Sequence, residues 1–283
     1  MRRFHMKSVL AAVAALALVA GAEAGSLTEK IREKHEVVRA DTWIGGDRTV
    51  FKFDGHEAWV VEPPAGVKRA EGNPWTWTIQ WHTAFVSRTP APKLVAQGWC
   101  HVWVDGYALR GTEEGLKMFA AFQKFLVDDL GFAPKTCLIG MSWGGFFSTR
   151  YTAAYPQNVK AIYLDAPLLN FSKFAKSPNP EVARKSIGPW ADSIPPNNDW
   201  TNDPRMPVNL AGKVAAAKAP ILLLYGGVDA VVPPADNCEL FVPRFKAAGG
   251  QIQVVKRGAY AHHPHGVEES DCSIARFFQN AWK

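Results

Sequence analysis

The chain has 283 residues, 47% hydrophobic, 20% charged and 12% aromatic, a balance that excludes disordered and collagen-like classes. Its formal charge is +6, but the basic residues are scattered rather than gathered into runs, which excludes a nucleic-acid footprint. No internal repeat is visible, so a solenoid or propeller is excluded as well.

Residues 1–24 read as a secretory signal peptide. Arg2, Arg3 and Lys7 form a basic start, residues 9–20 an apolar stretch, and Ala22-Glu23-Ala24 a small-x-small cleavage site. The apolar run is shorter than the roughly 20 residues a spanning helix needs. The expected mature protein is therefore residues 25–283, secreted or periplasmic, free of the membrane, and at +4 once three basic residues and one acid are removed. Export permits disulfides. Cys100 and Cys137 fall in or beside core strands, whereas Cys238 and Cys272 fall in helical stretches and could be bridged; three full pairings are open.

Ser26-Leu27-Thr28-Glu29 is a capping-box pattern, which predicts a helix through about Arg39. Strand-like runs follow at 49–53 and 57–61, joined by Asp54-Gly55, a strong hairpin signal. Short apolar, β-branched runs then recur at 75–81, 101–104, 136–139, 161–164, 221–225 and 251–256. Helical stretches separate them at 92–97, 112–130, 143–155, 234–248 and 268–282. Such alternation predicts a parallel sheet with helices on both faces. One segment breaks the pattern: residues 168–210 are rich in proline, Asn, Ser and Asp, with little periodicity, and include Trp190 and Trp200. A loop of that length suggests a lid or cap insertion, although a tolerated surface insertion is the plainer reading.

Gly140-Met141-Ser142-Trp143-Gly144 fits G-x-S-x-G, with a buried strand before it and a helix start after it. A serine on such a tight turn exposes its hydroxyl at a helix N-terminus, where amides and the helix dipole favour a developing oxyanion. Ser142 is the candidate nucleophile. It needs a base, and the base needs an orienting acid. Asp229, in Gly226-Gly227-Val228-Asp229 past the strand at 221–225, is the preferred acid because it gives the order Ser…Asp…His. Asp165 follows the strand at 161–164 in the same way and is the alternate. Asp105 is a third strand-end carboxylate, read as a turn residue. Past the last strand come Ala261-His262-His263-Pro264-His265-Gly266. Strand-end spacing favours His262 as base, with His263 and His265 open as alternates. Three histidines also raise a metal site, but no acidic or cysteine cluster with zinc spacing stands nearby, so no metal is expected.

Together GMSWG, GGVDAVVP and HHPHG resemble the α/β-hydrolase superfamily, and look like its secreted, dienelactone-hydrolase-like and prolyl-oligopeptidase-like serine esterases. The resemblance runs from about residue 49 to 283 as a single catalytic domain. It implies a mostly parallel eight-stranded sheet, an acyl-enzyme mechanism and no cofactor. It also makes Ser142, Asp229 and a histidine of the last loop the triad, with the Trp143 amide as one oxyanion donor. Many members carry His-Gly-Gly for the second donor; here Gln80-Trp81-His82 stands in its place, leaving Trp81 or His82. The expected substrate is a small-molecule or polysaccharide ester, with carbohydrate-linked esters first by analogy. Trp143, with Trp81, Trp190 and Trp200, is expected at the pocket rim. A serine peptidase of the prolyl-oligopeptidase type and a non-catalytic binding protein are the competing readings.

Overall fold

The computed structural model describes residues 27–283; the signal-peptide reading lies outside them. A short helix α1 (Leu27–Arg32) leads into β1 (Val37–Trp43), β2 (Gly46–Phe53) and β3 (His56–Glu62), an antiparallel meander. The chain then alternates: β4 (Trp75–Gln80), α2 (Ala91–Val95), β5 (Cys100–Val104), α3 (Glu113–Asp128), β6 (Thr136–Met141), α4 (Trp143–Ala154) and β7 (Val159–Asp165). An insertion carrying α5 (Ser172–Ala175) and α6 (Pro180–Ile187) precedes α7 (Ala211–Ala215). Then come β8 (Ile221–Gly226), α8 (Cys238–Ala247), β9 (Ile252–Arg257) and α9 (Ser273–Trp282).

These strands form one nine-stranded sheet in the order β1-β2-β3-β5-β4-β6-β7-β8-β9. From β5 to β9 every pairing is parallel, and β3 joins β5 antiparallel. The sheet is thus mostly parallel as expected, but with nine strands rather than eight. The extra strand is β1, in part of the stretch whose sequence suggested helix. The helix covers only the six residues of α1; beyond it Val37, Val38, Thr42 and Trp43 favour extended backbone. Ile44 and Gly45, both at positive φ, then turn the chain tightly into β2.

Central strands β4 to β8 are buried along nearly their whole length, as a sheet covered on both faces requires. One face packs on α3 and α4 through Phe119, Phe122, Phe146 and Phe147; the other packs on α2 and α9 through Leu94, Ile274 and Phe278. Thr112 caps α3, its side chain accepting from the Gly115 amide. Truncating one of these phenylalanines to Ala would cost about 3–5 kcal/mol. The possible Cys238–Cys272 bridge is not formed: all four thiols are free, and Cys238 is buried in the core at the start of α8. Among the described residues no helix is long and apolar enough to cross a membrane.

The insertion is anchored by its own aromatic core. Phe171 stacks on Phe146 with ring centroids 4.7 Å apart, and Trp190 and Trp200 are buried against Phe171. Neither tryptophan reaches the pocket rim where the sequence had placed it. Their indoles hold the insertion down instead.

Candidate active site

The parallel topology delivers β4 to β9 with their C-terminal ends side by side, and the candidate residues cluster there. Ser142 sits between β6 and α4 at φ 51°, ψ −116°, a backbone geometry disfavoured for a side-chain-bearing residue. Its amide donates to the Asp165 carbonyl at 3.0 Å, and its carbonyl accepts from the amides of Gly145 and Leu168, each at 2.9 Å. Both motif glycines are needed for close approach. A Cβ at Gly144 would collide with the Gln80 carbonyl at the end of β4, and one at Gly140 would lie 2.8 Å from the Gly144 carbonyl and the Ser148 hydroxyl.

The Ser142 hydroxyl lies 3.2 Å from His262 Nε2, and His262 Nδ1 lies 2.6 Å from Asp229 Oδ2. Asp229 Oδ1 accepts from the amides of Val231 and Val232, both at 2.8 Å. Burial works to raise the Asp229 carboxyl, but the His262 hydrogen bond and these two amides outweigh it and hold it below its ordinary value. With Nδ1–H directed at a carboxylate, the imidazole is fixed with its Nε2 lone pair toward the hydroxyl, the tautomer a general base requires.

Asp165 takes no part in the Ser142–His262–Asp229 contacts. Its carboxylate, fully buried at the end of β7, accepts from His265 Nδ1 at 2.8 Å, from the Gly266 amide at 2.6 Å and from the Tyr163 hydroxyl, with Arg257 at 3.8 Å. The alternate acid and one alternate base therefore pair with each other. His263 is exposed beside Phe85, their rings stacked at 5.4 Å, whereas His262, whose ring centroid is only 4.7 Å away, is buried. Burial, followed by the neighbouring His265 and His262, lowers the His263 pKa.

Trp143 opens α4, so its amide belongs to the first turn, whose N–H groups have no intrahelical partner. The Gln80–Gly144 contact brings Trp81 and His82 beside that turn. A cavity of about 500 Å³ opens there, lined by Trp81, His82, Trp103, Asp105, Tyr107 and Arg110. Trp81 packs on Tyr107 at 4.7 Å, and the Arg110 guanidinium lies 3.4 Å from the centre of the Tyr107 ring. Asp105 is a turn residue as read, accepting from the Tyr107 amide at 3.1 Å, and it also lines the cavity. Trp143 itself is almost fully buried among Phe146, Phe147 and Phe171. Tyr107 and Arg110 were not singled out from sequence: they lie on an irregular segment after β5 with no motif around them. Burial lowers the His82 pKa to about 4, leaving a neutral ring in the cavity wall.

Residues 87–187 match a family model for the alpha/beta hydrolase fold. The structure is similar to Est1E from Butyrivibrio proteoclasticus, with TM-score 0.59, 16% identity and coverage of 84% of this chain and 99% of that one. It is also similar to an S-formylglutathione hydrolase from Agrobacterium tumefaciens, with TM-score 0.52, 17% identity and coverage of 87% and 97%. An acylaminoacyl peptidase from Pyrococcus horikoshii aligns with TM-score 0.56 and 17% identity over 84% of this chain, but this chain spans only 39% of that one. No curated protein matches the sequence.

Proposed function

We propose that this chain, which has the α/β-hydrolase fold, is an exported serine hydrolase that cleaves carboxylic esters, with carbohydrate-linked esters as the leading substrate class. The observation that carries the reading is the hydrogen-bonded chain Ser142–His262–Asp229, with contacts of 3.2 and 2.6 Å. In it Ser142 Oγ attacks the ester carbonyl carbon while His262 Nε2 takes the hydroxyl proton. The oxyanion is held by the Trp143 amide and by an amide of the Trp81–His82 segment. His262 then returns the proton to the leaving alkoxide as the C–O bond breaks, giving an acyl-Ser142. A water, deprotonated by the same imidazole, attacks that ester and releases the acid and the serine. Asp229 stays ionised and stabilises the imidazolium.

The aromatic wall of Trp81, Trp103 and Tyr107, set beside Asp105 and Arg110, suits a ring carrying hydroxyl groups. Aromatic faces cover the apolar side of a sugar, and charged groups bind its hydroxyls. The insertion at 168–210 acts as a cap fastened behind the cavity wall, the Trp190 indole N–H donating to the carbonyl of the lining residue Arg110 at 2.9 Å. A serine peptidase is the second reading, because peptidases stand among the similar structures. Those are far longer chains, whereas Est1E and the S-formylglutathione hydrolase are matched over nearly their full length, which favours the ester.

The test is a panel of p-nitrophenyl acyl esters of rising chain length beside acetylated and methyl-esterified polysaccharides and peptide amides. Ser142→Ala serves as the control for each. Ester turnover that vanishes in Ser142→Ala supports the reading; turnover retained in that variant, or confined to peptide amides, overturns it.

A further inference from the structure

We propose that His262, His263 and His265 form an inhibitory site for a divalent d-block cation of the zinc type, which shuts the hydrolase by occupying its base. The proposal rests on the reading of His262 as that base. Ring nitrogens, one from each of the three residues, lie within 4.8 Å of one another. The rings stand nearly perpendicular, with centroids 4.7 to 4.8 Å apart and interplanar angles of 69°, 81° and 90°. Each of the three rings therefore has a nitrogen close enough to the other two to share one ion after a small movement.

What lies behind the rings is what separates this group from a chance cluster. His262 Nδ1 donates to Asp229 at 2.6 Å and His265 Nδ1 to Asp165 at 2.8 Å. A carboxylate on one ring nitrogen fixes the tautomer, raises the basicity of the other nitrogen and orients it as a ligand; metal-binding histidines almost always have such a partner. Two of the three rings are thus already fixed with Nε2 as the free lone pair. Three carboxylates, Asp229, Asp165 and Glu268, stand against two guanidiniums, Arg257 at 3.8 Å from Asp165 and Arg88, which donates to the His265 carbonyl at 3.0 Å and pairs with Glu268, a balance of one negative charge that favours a cation.

Zinc–nitrogen bonds of about 2.0–2.1 Å place tetrahedral ligand nitrogens roughly 3.4 Å apart, so the cluster must contract on binding. His263 can supply that movement, because it is the exposed member while the other two are buried. The all-nitrogen donor set selects zinc, copper or nickel over magnesium or calcium, which prefer oxygen. The fourth position falls to the Ser142 oxygen, 3.2 Å from His262 Nε2, or to water. Either way the nitrogen that would take the serine proton is spent on the metal.

The experiment titrates zinc chloride against the chelator-treated full chain, reading p-nitrophenyl acetate hydrolysis and, separately, zinc binding by calorimetry and cobalt binding by visible absorption. The expected result is loss of activity at micromolar zinc, reversed by excess EDTA, with no response to magnesium. His263→Ala should keep basal turnover within about tenfold of the parent yet need at least about tenfold more zinc for the same fractional inhibition, the scale on which lost metal-site partners act; His263→Asn serves if the alanine variant folds poorly. Ser142→Ala should still bind zinc and give tetrahedral cobalt bands. The binding readouts stand without turnover, so a chain that hydrolyses no ester but binds zinc through His263 overturns the function and not the site. No binding at millimolar zinc, or equal inhibition of His263→Ala and the parent, overturns the site.

Discussion

Two His–Asp pairs stand side by side at the end of the sheet. Asp229 follows β8 and Asp165 ends the neighbouring β7; both are buried, and each receives an Nδ1–H from the same loop, at 2.6 and 2.8 Å. They differ in what the other side of each unit meets. His262 has the Ser142 hydroxyl at its Nε2, and Asp229 is otherwise held by amides of its own turn. His265 has the ring of Phe85 against it, and Asp165 is held by Gly266 and Tyr163, from two separate parts of the chain. The first unit can move a proton; the second ties the histidine loop to the sheet. The same two residue types serve chemistry or architecture according to the atom beyond the imidazole.

The largest effects should break the first unit. Ser142→Ala should abolish ester hydrolysis, by several orders of magnitude in kcat, with an unchanged circular-dichroism spectrum, since the change removes one oxygen from a partly exposed residue. Asp229→Asn should lower kcat by about 10⁴ through the wrong tautomer at His262, with little change in KM. The second unit should respond in the opposite proportion. Asp165→Asn leaves buried donors facing a neutral amide, so it should destabilise the fold by about 1–3 kcal/mol and reduce kcat far less than Asp229→Asn. Denaturant melts and kcat on the same preparations decide this: if Asp165→Asn proves the worse catalyst at full stability, the two carboxylates have been assigned the wrong way round. His263→Ala, touching neither carboxylate, should cost tenfold or less in kcat on the metal-free protein.

Much of this comparison was legible as a set of names but not as a pairing. The G-x-S-x-G motif selected Ser142, chain order and strand-end position Asp229, and strand-end spacing His262. They could not reveal that Asp165 and His265 are partners, because one loop carries all three histidines and only the way it folds over β7 and β8 decides which ring meets which carboxylate. The parallel strands were readable because burial on both faces makes them continuous apolar runs. β1 was not, since it is an edge strand with no fully buried residue and so lacks the continuous apolar run of the central strands. The cavity wall at Tyr107 and Arg110 was hidden for a different reason. Neither residue carries a motif, and what makes them a site is that the segment after β5 comes to rest beside Trp81.

His82 supplies a third histidine against which both units can be judged, one with no hydrogen-bonded carboxylate. Its ring lies 3.7 Å from that of Trp103 between centroids, and burial lowers its pKa to about 4, with Asp105 only partly opposing the shift. Above that pH the folded ring is neutral, whereas an unfolded histidine takes up its proton near pH 6.5. Between those values the unfolded state binds more protons, so His82 subtracts stability as the pH falls from about 6.5 to about 4 and changes it no further below. His82→Phe keeps an aromatic ring against Trp103 and removes the titration. Its melting temperature should therefore fall less than the parent's over that window, while the two should run parallel above pH 7. Activity gives the sharper reading. A ring that carries no charge between pH 5 and 8 cannot contribute a limb to the profile of kcat/KM, so His82→Phe should change the height of that profile by less than about tenfold and leave its midpoint unmoved. A midpoint displaced by the substitution would mean that His82 titrates with the reaction, and that a histidine without a carboxylate takes part in the chemistry after all.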